Sequence, residues 1–142
     1  MMANSMFVPL EKIPLDLEEV KFLINSAFSE FEMLLPNVWM HYSKGDLNLL
    51  QDGFVMVEGE RESDNCWVSI NECDSELCGD DKFKVLADIK TRGNWVFAGI
   101  VAYAFCKMAE STVFNDSREL DGQESYSAES LRNLIMSLIP WN

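Results

Sequence analysis

Between Gly93 and Ser117 the chain reads GNWVFAGIVAYAFCKMAESTVFNDS, and from Trp95 to Cys106 twelve consecutive residues carry no charge. The run sits in a chain of 142 residues with a net charge of -13. Spanning a bilayer as a helix takes about 20 apolar residues, so this run is too short to be an anchor. Left open to water it would be an aggregation liability, so the rest of the chain has to cover it. At helical spacing Trp95, Ala98, Gly99, Ala102, Phe105, Cys106 and Ala109 form one stripe, and Val96, Ile100, Val101 and Tyr103 make much of the remainder apolar. A helix apolar nearly all round is the central helix of a domain. Asn94 can cap it, its small residues permit close approach, and Lys107 and Glu110 return it to water.

The segments on either side supply the cover. PLDLEEVKFLINSAFSEFEMLLPN has the spacing of an amphipathic helix, with Asp16 as N-cap, Glu19 three residues later, and Leu17, Val20, Ile24, Ala27, Phe28, Phe31 and Leu35 on one face. Pro36 is its expected end. Val38–Lys44, Gly53–Glu60, Cys66–Cys73 and Lys82–Lys90 have strand composition, and the middle pair flank the charged turn RESDN as a hairpin would. In the second strand of that hairpin Cys66, Val68 and Ile70 share one face, with Trp67, Ser69 and Asn71 on the other. STVFND reads as a short strand and SRELDGQESY as a polar loop. Ser127 can cap a last helix, Ala128–Ile139, with Glu129 in its first turn and Leu131, Leu134, Ile135 and Leu138 inward. The expected fold class is therefore α+β: one domain over residues 1–142, an antiparallel sheet of three to five strands, and N-terminal, central and C-terminal helices packed on it.

Charge is spread unevenly. Residues 51–82 carry two bases and ten acids, whereas residues 83–142 carry six bases and seven acids. Such a chain repels nucleic acid and anionic lipid and favours basic partners. The candidate partner-binding residues are the hairpin acids Glu58, Glu60, Glu62 and Asp64, then Glu72, Asp74 and Glu76 beyond it, with Trp67 as an aromatic anchor among them. The competing interpretation is a solvated hairpin whose charges guard its edge. Acids of the later loop, Asp116, Glu119 and Asp121, are a second place where an interface could lie.

Catalytic and metal signals are weak. His41 is the sole histidine and has no serine or cysteine close by in sequence, so it reads as a structural or surface residue. Cys66, Cys73, Cys78 and Cys106 lack the paired spacing of a structural zinc site, and no metal or cofactor is expected. Gly93 stands alone, without the further glycines of a phosphate-cradling loop. The opening MMANSMFVPLEKIPL lacks a basic region followed by a sustained apolar one, so the expected location is the cytoplasm, with all four thiols free.

The stretch VLADIKTRGNWVFAGIVAYAFCKMAESTVFNDSRELDGQESYSAESL resembles immunity proteins of bacterial toxin systems, those of contact-dependent inhibition and type VI effectors. Several such proteins run strand, alanine-rich helix, short strand ending in Asp, loop and helix. The corresponding segments are Val85–Ile89, Trp95–Ala109, Val113–Asp116 and Ala128–Ile139, in about the last 60 residues, and they include no catalytic motif. The resemblance implies a small, acidic, non-enzymatic cytoplasmic protein that blocks the active site of a cognate toxin, and the acidic hairpin points to a toxin with a basic groove, such as a nuclease. No nucleic-acid or membrane partner is expected, and the expected state is a monomer or weak homodimer. The alternatives are an acidic nucleic-acid mimic, another protein-interaction domain, or a small enzyme.

Overall fold

The computed structural model describes residues 4–42, 53–73, 82–115 and 123–139. In chain order the elements are β1 (Asn4–Leu10), α1 (Leu17–Glu30), β2 (Asn37–Tyr42), β3 (Gly53–Glu58), β4 (Asn65–Glu72), β5 (Val85–Thr91), α2 (Trp95–Ala109), β6 (Thr112–Phe114), β7 (Ser125–Ser127) and α3 (Ala128–Leu138). The strands form one antiparallel sheet in the order β2-β3-β4-β5-β1-β6-β7. The α+β class and the three helices are as expected, but the sheet has seven strands rather than three to five.

The two unforeseen strands are β1 and β7. Proline argues against a central strand because it donates no ladder hydrogen bond, and β1 contains Pro9 yet lies between β5 and β6. Its position is tolerated because β6 pairs with it at Phe7 opposite Phe114, two residues short of Pro9, while Met6, Val8 and Leu10 alternate into the core. β7 is only Ser-Tyr-Ser, too short to show a pattern, and is held by pairing with β6 and by burial of Tyr126.

One face of the sheet is the core. Met6, Val8, Leu10, Val55, Val57, Cys66, Val68, Ile70, Val85, Ala87 and Ile89 point into it and are buried. Above them lies α2, in contact with β1, β4, β5 and β6 and flanked by α1 and α3. Every residue from Phe97 to Cys106 in α2 is buried, so the uncharged run is a covered central helix. Its Ala and Gly positions let it approach the sheet without displacing the larger side chains below.

Two helices end at a non-glycine residue in the left-handed conformation, and the first of these ends escapes sequence patterning. α1 stops at Glu30, six residues before Pro36, and Glu32 adopts the left-handed conformation at φ 57°. Met33 N–H donates to Phe28 O at 2.9 Å and Glu32 N–H to Ser29 O at 3.0 Å, the paired bonds of a Schellman termination. Leu35, expected on the buried face, is therefore 57 % exposed. α2 ends on Glu110 at φ 51°. Glycine normally fills such positions, and its absence hid the end of α1, whereas α2 ends at Ala109 as expected.

The cysteine expectation is corrected in part. Cys66 and Cys106 are free and buried, and burial pushes the Cys106 thiol up to about 11. Cys73, however, is disulfide-bonded, with its partner outside the described residues. The four thiols are thus not all free, and they give no argument for a reducing compartment.

Candidate interaction face

The sheet surface opposite the helices has no element over it among the described residues. Pairing aligns Trp39 with Met56, Met56 with Trp67, and Trp67 with Lys90, so one row crosses four strands. A neighbouring row sets His41 beside Phe54, and farther along Asp88 beside Phe7 and Phe7 beside Phe114. Trp39, Phe54 and Phe114 are 37–38 % exposed; Phe7, Met56 and Trp67 are half-buried. Within the face the charges are matched locally: Lys90 bonds Asp88, and the Arg92 guanidinium lies 5.5 Å from the Trp67 ring centre.

At one end of this face stands the β3–β4 turn. Glu58, Glu60 and Glu62 are exposed there. The Glu58 carboxylate accepts the Trp39 indole N–H at 2.6 Å, which fixes the first tryptophan against the rim. Between the turn and the sheet is a concavity of about 370 Å³ whose lining includes Met56, Glu58, Glu60, Glu62 and Trp67, together with Arg61 and Asp64.

Asp64 behaves otherwise than expected for a rim acid. It is 8 % exposed. Arg61 donates to it through Nε at 3.0 Å and Nη2 at 3.1 Å, and Asn94 Nδ2 donates at 3.0 Å. Burial opposes its charge, but these hydrogen bonds outweigh burial and hold the carboxyl below its ordinary 3.8. Asn94 in turn caps α2, its Oδ1 accepting from Val96 N at 2.9 Å and Phe97 N at 3.4 Å. Its own N–H donates to Ser63 O at 2.7 Å. A Cβ on Gly93 would lie 2.1 Å from that same carbonyl oxygen, so only glycine allows the turn to seat on the helix start. Asp64 is therefore a fastener between hairpin and α2 and leaves the set of partner-facing residues.

The remaining predicted residues are dispersed. Glu72 is exposed but sits at the far end of β4, roughly 24 Å along the strand from Asn65 at ~3.4 Å per residue, so it does not join the hairpin acids. Asp74 and Glu76 lie outside the described residues, as do Asp116, Glu119 and Asp121. Sequence reading missed Trp39, Phe54 and Met56 as companions of Trp67. The available signal was that both alternating sets of GFVMV are apolar, which a half-solvated strand does not need, and that Trp39 stands on the polar set of NVWMHY beside Asn37 and His41.

Among the described residues no group of three His, Cys, Asp or Glu side chains could hold a metal ion, and no helix is long and apolar enough to cross a membrane. Comparison with protein-family models, with curated proteins and with solved structures finds no match to this chain.

Proposed function

We propose that this chain is an immunity-type protein that binds a basic toxin stoichiometrically and blocks its active site, without catalysis of its own. The observation that carries this reading is the apolar row Trp39, Met56, Trp67 on a sheet face with no element over it among the described residues, ending against the exposed carboxylates of Glu58, Glu60 and Glu62. Apolar area of this kind in water is unfavourable unless a partner covers it. Large aromatic anchors bordered by charge are the usual energetic centre of a protein interface. The notch at the hairpin suits an arginine or lysine of the partner, whose aliphatic stem would lie on Met56 and Trp67 while its cationic head meets the carboxylates. A toxin that grips phosphates offers many such side chains, and the chain's net charge of -13 would speed the encounter.

The experiment is surface-bound kinetics against the product of the adjoining gene, at low and high salt. Glu60→Lys with Glu62→Lys should lower the association rate roughly tenfold at low salt and little at high salt. Trp67→Ala should leave association nearly unchanged and accelerate dissociation, a loss of about 2 kcal/mol. Unchanged kinetics in both variants would remove this face from the interface, and absence of binding by the wild type would remove the immunity reading.

A further inference from the structure

We propose that two copies of the chain join edge to edge through β2, antiparallel about a two-fold axis, so that the two sheets become one. This is independent of the toxin-binding reading. β2 ends the sheet, and β3 is its only strand neighbour among the described residues. The outer row of N–H and C=O groups on an edge strand is a template for another strand unless charge, proline or shortness guards it. β2 has none of these guards: it is six residues long and reads Asn-Val-Trp-Met-His-Tyr, with no proline and no Asp, Glu, Lys or Arg. The opposite edge is guarded, because β7 has three residues and runs straight into α3.

The choice of a second copy as occupant rests on charge. Copies with a net charge of -13 repel one another over most of their surface. β2 is the one strand of six or more residues that carries no charged side chain apart from β1, and β1 is interior to the sheet. On the paired strand the carboxylate opposite Asn37, that of Glu58, is already engaged by the Trp39 indole. Two copies can therefore pair along β2 without setting carboxylates of that strand opposite each other. A two-fold axis also satisfies the self-complementarity that a closed dimer requires. In the register centred on Trp39, Asn37 of each copy faces His41 of the other, and both residues are exposed at their ends of β2. The axis is perpendicular to the sheet, so the aromatic rows of both copies lie on the same side and stay open.

Sedimentation equilibrium of the full chain tests this, together with hydrogen exchange at low and high protein concentration. The wild type should associate to a dimer, with concentration-dependent protection confined to residues 37–42. Asn37→Asp with His41→Asp sets like charges opposite each other and should weaken self-association about tenfold or more. Asn37→Asp with His41→Lys sets opposite charges there and should restore it. Both variants change exposed side chains only, and circular dichroism checks that they fold. A wild type that stays monomeric, or a dimer indifferent to Asn37→Asp with His41→Asp, overturns the proposal. Glu60→Lys with Glu62→Lys should leave the dimer intact whatever it does to toxin binding, so the two readings fail separately.

Discussion

Glu30 is where the three helices converge. Its carboxylate accepts from Tyr103 Oη at 2.6 Å, Lys107 Nζ at 2.7 Å and Arg132 Nε at 2.6 Å, which links α1 to α2 and to α3. Burial works against the charge, but the bonds from Lys107, Tyr103 and Arg132 prevail and bring the carboxyl from its ordinary 4.5 to about 2. A carboxyl lowered on folding contributes stability that is complete above pH 4.5 and is lost as pH falls through about 2. Glu30→Gln should cost about 1–3 kcal/mol at neutral pH, and the gap from wild type should close between pH 5 and 2 in urea titrations. A gap independent of pH would show that the charge is not what matters. Asp64→Ala should destabilise by a similar order, about 1–3 kcal/mol, because it removes the hydrogen bonds that Arg61 and the Asn94 amide donate to the carboxylate. Fluorescence-monitored unfolding would measure it.

At the scale of the element, α2 shows what an uncharged run requires. Ala102 is fully buried, and Ala102→Asp would place a charge without a partner in the core. The expected loss is several kcal/mol, on the order of 3–5, and a wild-type melting temperature for that variant would contradict the placement. The helix ends make a prediction of opposite sign. Glu32 and Glu110 hold the left-handed conformation that costs a non-glycine residue about 1 kcal/mol. Glu32→Gly and Glu110→Gly should each raise stability by up to about 1 kcal/mol, less the entropy glycine adds to the unfolded chain. Thermal melts decide the sign. Capping was legible where a side chain does it: Asp16 accepts from Glu19 N at 2.9 Å, and Ser127 from Ser130 N at 3.1 Å. It was illegible at the end of α1, where the backbone alone does it.

Over the whole molecule, the asymmetry between the two sheet faces matters most. One is sealed by three helices and the other presents aromatics beside acids. The charge that is uneven along the sequence divides further in space. Asp64 and Glu30 are spent on internal fastening, and Asp88 is matched by Lys90, while Glu58, Glu60 and Glu62 stand exposed at the rim. If the proposed toxin complex forms at this rim, salt should weaken its encounter far more than folding. Raising ionic strength at neutral pH should leave the melting temperature nearly unchanged while slowing association, because screening acts on exposed charges over a Debye length of about 10 Å at 0.1 M and much less on partly buried pairs.

The sequence by itself determined the three helices, their side-chain caps, the β3–β4 hairpin and the inward set Cys66, Val68 and Ile70. These depend on near neighbours in the chain, through 3.6- and 2-residue periodicities that any local reading can follow. It did not determine β1 as a central strand, the loss of Asp64 from the surface, or the alignment of Trp39, Met56 and Trp67. Each of these is a relation between segments far apart in sequence: Met6 faces Ile89, Asp64 meets Asn94, and Trp39 reaches Trp67 through β3. Only packing of the sheet against α2 sets those registers, because a one-residue slip of any strand would turn its core side chains to water.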